Sequence, residues 1–173
     1  MVSWVSSNYE LFGSGLTVPG YGFVLHNRGA LFSLDPVSPN VIAPHKRPFN
    51  TLSAGFLMKN GAPFMTLTLM GGDMQAQGHA QAIVDVIDLG ANLQAASDMA
   101  RFHHYQLEDR LTLESSLFDL VGEALRKMGH AVESASGDDM GGFQSVGVVP
   151  GPHGEIVYRA GSDHRKDGAA VGW

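Results

Sequence analysis

Gly71-Gly72-Asp73 is where this sequence most invites main-chain chemistry. Two glycines between the end of an alternating apolar run and the start of a helical one let the backbone come close to a ligand. Their N–H groups then point outward near the positive end of a helix dipole. Such a turn can hold a phosphate or the oxyanion of a tetrahedral intermediate; a plain tight strand-to-helix turn has the same residues. Two other clusters carry titratable groups. In Arg101-Phe102-His103-His104 the adjacent histidines point to different faces of either element, and no further ligand stands three or four residues away. A structural role is expected there, and no metal. Asp163-His164-Arg165 reads as a surface charge cluster. The chain has no cysteine, which rules out disulfides, thiolate nucleophiles and sulfur-ligated zinc.

The elements around these residues read in the order strands, helices, strands. Phe12-Gly13-Ser14-Gly15 and Val18-Pro19-Gly20-Tyr21-Gly22 are turns, the second leading into a strand at Phe23–His26. From Ser33 to Pro48 four prolines interrupt any period, and an irregular loop is expected. Leu52–Lys59 and Pro63–Met70 flank Asn60-Gly61, a strong hairpin signal. Gln75–Leu89 has Ala80, Ile83, Val84 and Ile87 at helical spacing, with Gly90 placed to end it. Asn92 caps a short helix through Ala100. Ser116 to Asp119 resembles a capping box opening a helix that ends at Gly129, with Leu117, Leu120, Val121, Leu125 and Met128 as its apolar stripe. Strands at Phe143–Val149 and Glu155–Ala160 close the chain. With no regular β-α alternation, a layered α+β domain with largely antiparallel sheets is expected, as one domain over residues 1–173.

Composition narrows the partners. A net charge of −6 and only short basic stretches argue against nucleic acid, which needs a clustered cationic face. No apolar run approaches the length that spans a bilayer, and Met-Val-Ser-Trp-Val-Ser has neither the basic nor the apolar part of a signal peptide.

Six tags stand together in order: Phe12-Gly13-Ser14-Gly15, Lys46-Arg47-Pro48, Met70-Gly71-Gly72, Ala100 to His104, Gly142-Phe143-Gln144-Ser145, and Ala160 to Arg165 followed by Asp167 to Gly172. Over residues 2–173 the sequence resembles the small subunit of the γ-glutamyltransferase family. The resemblance implies a four-layer αββα N-terminal-nucleophile hydrolase fold, incomplete at its N-terminus. It also implies a precursor that cleaves itself into large and small subunits. The small subunit's new N-terminal Thr attacks a γ-glutamyl amide and passes the acyl group to water or an amine. That Thr is expected just before Val2, so the chain alone is expected to show no transferase or hydrolase activity. A catalytically inactive anion-binding module is the alternative.

Residue by residue, Gly71 and Gly72 match the family's oxyanion pair. Ser7 falls where a second Thr orients the nucleophile, or Ser6 if one residue bulges. Asn50 and Thr51 match a Ser-Ser pair that binds the substrate α-carboxylate. His26-Asn27-Arg28-Gly29-Ala30-Leu31-Phe32 stands where the family has Asn-Asn-Gln and then an Asp that holds the glutamyl α-amine. Here the Gln is Arg28 and the Asp is Leu31. Since a guanidinium repels ammonium and attracts carboxylate, donors lacking a free α-amine or carrying an extra acidic group are expected, with Asn27 beside them. The partners implied are a small γ-glutamyl or acidic acyl donor and the large subunit or upstream segment; no cofactor is implied. Any targeting signal is expected on that upstream segment.

Overall fold

The computed structural model describes residues 1–172. The chain divides into two compact units, one of Val5–Leu52 and one of Met1–Trp4 with Ser53–Trp173.

In the larger unit, β1 (Ala54–Lys59) and β2 (Ala62–Met70) form the hairpin expected around Asn60-Gly61. Both turn residues have positive φ (52° and 78°), the two-residue turn whose twist suits paired strands. Helix α1 (Met74–Ile87) follows the glycine pair, and α2 (Leu93–Asp98) begins at Asn92, whose side chain accepts the Ala95 N–H at 2.9 Å. Strands β3 (Phe102–Tyr105) and β4 (Arg110–Glu114) pair antiparallel; α3 (Ser115–Lys127) then returns the chain so that β5 (Ala131–Ala135) runs parallel to β4. Strands β6 (Gly142–Pro150) and β7 (Ile156–Ser162) complete an antiparallel sheet in the order β1-β2-β6-β7.

The architecture is α+β, with helices packed on two sheets. One face of the larger sheet sends Met65, Leu67, Leu69 and Phe143 into a core with Ala82 of α1, and Leu93 of α2 packs against it. The other face leaves Phe56, Met70, Ile156 and Tyr158 40–67% exposed.

Three expectations need correction, and one sheet was not anticipated. The short sheet β3-β4-β5 carried no signal strong enough to be read, because its strands have only four or five residues. Phe23–His26 is not a strand: only Val24 bridges to Thr17, and Phe23 and Leu25 are about half exposed, so no core holds a ladder there. The capping box at Ser116 is absent. Helix α3 starts at Ser115 directly off β4, and its N-cap Glu114 has its carboxylate engaged elsewhere. Leu120 and Met128 of the expected apolar stripe are more than 70% exposed.

Edge strands expose unpaired backbone groups, and three glutamines cover them here. Gln77 exchanges two hydrogen bonds with the backbone of His104 (2.9 and 2.9 Å), and Gln81, one helical turn on, does the same with Phe102 (2.9 and 3.0 Å). From α2, Gln94 takes the Ser162 N–H at 3.1 Å and donates to its carbonyl at 2.9 Å. A primary amide presents an N–H donor and a carbonyl acceptor side by side, as a neighbouring strand's backbone would.

Candidate functional site

Strand β2 stops pairing at Met70, opposite Gly142, and the chain turns through Gly71 (φ 148°) and Gly72 (φ 58°) into α1. The Gly71 and Gly72 carbonyls accept the first N–H groups of the helix, from Met74 at 3.1 Å and Gln75 at 3.2 Å. Neither glycine's own N–H has an acceptor among the described residues, and Asp73 makes no side-chain cap bond. Two adjacent main-chain donors are thus left free where the helix dipole is positive. Gly71 is required by geometry. Its φ lies outside what L-residues favour, and a Cβ there would stand 2.8 Å from the Gly141 Cα.

Beneath this turn the 140–143 backbone is fixed by a buried charge quartet. Arg101 donates to the Met140 carbonyl (3.1 Å) and the Ser97 carbonyl (3.0 Å), and pairs with Asp163 at 2.7 Å. Asp163 also accepts the Phe143 N–H at 2.8 Å and the Arg165 N–H at 2.9 Å. Arg165 forks onto both oxygens of Glu114 (2.7 and 2.6 Å) and reaches Asp163 at 3.1 Å. Glu114 in turn accepts the Arg101 N–H at 2.6 Å. Burial alone would raise the Asp163 and Glu114 carboxyls. For Asp163 the Phe143 and Arg165 N–H groups and the charge of Arg101 outweigh it; for Glu114 the Arg165 side chain and the Arg101 N–H do. Both therefore sit below their ordinary values.

Asp163 and Arg165 were expected on the surface, and this is a correction: only His164 of that triplet is exposed. At Arg101–His104 the structural reading holds. His103 is buried against the Tyr105 ring with 4.0 Å between centroids, while His104 faces out. Burial lowers His103, as it does His79. Among the described residues no group of three or more His, Asp or Glu side chains could hold a metal ion.

The smaller unit gathers Ser7, Asn27, Arg28 and Thr51. Arg28 opens a four-residue 3-10 helix, Arg28–Leu31, and is only 6% exposed. Its guanidinium donates to Ser7 Oγ at 2.7 Å and Thr51 Oγ1 at 3.4 Å, and lies 5.7 Å from the centre of the Tyr9 ring. The Arg28 N–H is taken by His26 Nδ1 at 3.2 Å. Asn27, its amide nitrogen turned inward, donates to the carbonyls of Asn8 and Tyr9, at 2.8 Å each. Those bonds hold a left-handed run at Tyr9, Glu10 and Leu11, with φ of 63°, 47° and 56°. Asn50 is exposed and its Oδ1 caps the Leu52 N–H at 2.9 Å. Tyr9 and Glu114 were not singled out by sequence, and Arg101 was not connected there with Asp163 and Arg165; an isolated aromatic and charges far apart along the chain give no periodic signal.

The family model described as Gamma-glutamyltranspeptidase matches residues 1–173. The chain belongs to that family. Oxamate amidohydrolase proenzyme of Klebsiella pneumoniae is 35% identical over 99% of this chain and 33% of its own length. Glutathione hydrolase-like YwrD proenzyme of Bacillus subtilis is 33% identical, with the same two coverages. The chain thus spans about a third of the length of these gamma-glutamyltranspeptidase relatives. Among solved structures, the Helicobacter pylori gamma-glutamyltranspeptidase T380A mutant superposes with a TM-score of 0.86 at 30% identity, covering 95% of this chain and 93% of that one. A cephalosporin acylase from Bacillus halodurans gives 0.86 at 36% identity, covering 96% of this chain and 31% of that one. No helix among the described residues is long and apolar enough to cross a membrane.

Proposed function

We propose that this chain is the oxyanion-stabilising and donor-recognising part of an amide hydrolase or acyltransferase of the gamma-glutamyltranspeptidase family. In this reading a threonine hydroxyl from a segment outside residues 1–173, activated by its own α-amine, attacks the donor's amide carbonyl. The carbonyl oxygen gains charge and is received by the Gly71 and Gly72 N–H groups. The tetrahedral intermediate then collapses, the C–N bond breaks, and the amine leaves with a proton. Water or an acceptor amine afterwards removes the acyl group. Ser7 is assigned to the positioning of the nucleophile, and Asn27, Arg28, Asn50 and Thr51 to the donor. The upstream segment or large subunit is the protein partner, as the proenzyme names of the relatives suggest.

The observation that carries the proposal is the pair of adjacent main-chain donors without acceptors among the described residues, on a turn whose first position only glycine fits. Preorganised donors of this kind contribute about 10²–10³ in rate each when aimed at a developing oxyanion. The test is ammonia release from small carboxylated amides and from glutamine by an intact proenzyme carrying this chain as its C-terminal third. Turnover is expected, and Gly71→Ala, which displaces the turn, should lower kcat about 100-fold with little change in KM. A folded Gly71→Ala enzyme with full kcat would overturn the oxyanion assignment. No turnover of any amide would leave an anion-binding module as the function.

A further inference from the structure

Residues that face each other across an antiparallel pair point to the same side of a sheet. Met65, Gly147 and Arg159 form one such row across β2, β6 and β7. Met65 is 1% exposed, so the row lies on the face that carries the core, and the Arg159 stem leaves the sheet on that same side. Gly147 between them has no side chain; a Cβ there would stand 3.0 Å from Leu93 Cδ1. The space left open is a cavity of about 230 Å³, walled by Met65, Val86, Leu93 and Val149 and lined also by Asn92 and Arg159.

The polar side-chain groups left over in this cavity are donors. Asn92 Oδ1 is taken by the Ala95 N–H at 2.9 Å, and its amide nitrogen has no acceptor among the described residues. Arg101, Arg110, Arg126 and Arg165, the other arginines of the larger unit, each bond a neighbour. The exposed Arg159 makes no hydrogen bond or ion pair among the described residues. No aspartate or glutamate lines the cavity, and a second cation, Lys59, lies 5.4 Å from the ring centre of Phe64, another lining residue.

We propose that this cavity binds a small monocarboxylate with an apolar body, of the size of an arylacetate. An apolar cavity of about 150 Å³ takes up benzene, so the larger volume here admits a ring and a short arm. The arm's carboxylate meets the Arg159 fork, and the Asn92 amide nitrogen is a further donor. A cationic ligand meets a like charge and no carboxylate. Met65 stands about 20 Å along β2 from the Gly71-Gly72 turn at the usual rise of a strand, so this ligand and an amide held at that turn do not compete. The inference therefore does not rest on the acyl-transfer reading.

The test is titration of the full chain with phenylacetate, with phenylacetamide (the same shape without the charge) and with 2-phenylethylammonium, followed by calorimetry and by NMR of side-chain methyl groups. Phenylacetate should bind saturably with a Kd of about 1 mM or below and shift the methyls of Met65, Val86 and Leu93. Phenylacetamide should bind about tenfold more weakly, and the ammonium compound more weakly still. Arg159→Met keeps an apolar stem and removes the charge; in it phenylacetate should lose about tenfold and match the amide. Since Arg159 ties down nothing else, the variant is expected to melt as the wild type does; if it does not fold, Arg159→Gln carries the same comparison. The inference is overturned by no saturable binding of phenylacetate, by an amide that binds as tightly as the acid, by an acid-amide gap that survives loss of the Arg159 charge, or by shifts centred on methyls away from the cavity. None of these outcomes touches the oxyanion assignment, which is read from kcat in the assembled enzyme.

Discussion

Gly71 and Gly72 are neighbours with nearly opposite constraints, and replacing each by alanine separates them. At Gly72 (φ 58°) an added Cβ meets nothing within 4 Å, so the cost is that of one left-handed residue, about 1–2 kcal/mol. At Gly71 the same Cβ stands 2.8 Å from the Gly141 Cα, on backbone that cannot retreat. A Cβ at Gly141 would in turn reach the Leu69 side chain and the Met70 carbonyl at 2.6 Å each. Adding an overpacking cost of about 1–3 kcal/mol to the backbone cost puts Gly71→Ala at about 2–5 kcal/mol. Urea unfolding followed by far-ultraviolet circular dichroism reads the difference. With m of about 1–3 kcal/mol/M, Gly71→Ala should lower the midpoint by about 1 M or more, and Gly72→Ala by much less. Equal midpoints for the two variants would refute the claim that Gly71 is locked against Gly141 while Gly72 is free.

Three further outcomes follow from the same structure. Gln81→Glu keeps shape but loses the donor to the Phe102 carbonyl and sets a carboxylate oxygen against it; a loss of about 1–3 kcal/mol is expected, largest above pH 5, measured by thermal melting with Gln81→Met as the uncharged control. Asp163 and Glu114 have folded values below their unfolded ones, so their stabilisation is complete above about pH 5 and is lost as pH falls through the folded values. Glu114→Gln should therefore flatten the acid limb of the stability profile while costing about 3–5 kcal/mol at pH 7, where Arg165 loses its bidentate partner; an unchanged acid limb would count against the assignment. Leu69→Ala, at a fully buried core position, should cost about 2–5 kcal/mol by denaturant titration.

What could be read from sequence was whatever has a short-range signature. Asn60-Gly61, the alternation of β2 and the Asn92 cap each declare themselves within a few residues, and each is present. Helix α1 is present too, but Ala80, Val84 and Ile87 of the spacing that marked it are exposed, and Met74, Gly78 and Ala82 are buried instead. Strands β3, β4 and β5 did not, since four or five residues with no alternation look like loop until a parallel partner arrives by way of α3. Gln77, Gln81 and Gln94 would pass as solvated residues; their part in covering strand edges depends on where two helices lie. Charge was the most misleading signal. Asp163 and Arg165 look like surface residues next to His164, and only three-dimensional neutralisation by Arg101 and Glu114 allows them inside. Arg28 was marked by its residue type, but that it meets no carboxylate among the described residues is a fact of packing.

A glycine turn that leaves two N–H groups unsatisfied has little of its own to hold it still, because glycine gives up more conformational freedom than any other residue. Here the restraint comes from below. Met70 is paired with Gly142, the Met140 carbonyl is tied to Arg101, and the Phe143 N–H is tied to Asp163, so both flanks of Gly141 are fixed and Gly71 rests on it. The four charges doing this come from three separate stretches, at 101, 114 and 163–165, and they sum to zero. A neutral buried quartet adds little net stability compared with an apolar core of the same shape, yet it leaves one arrangement in which every charge is paired. Its effect is therefore on geometry: it confines the backbone under the turn to a single position, which a pair of donors needs if they are to meet an oxyanion without reorganising.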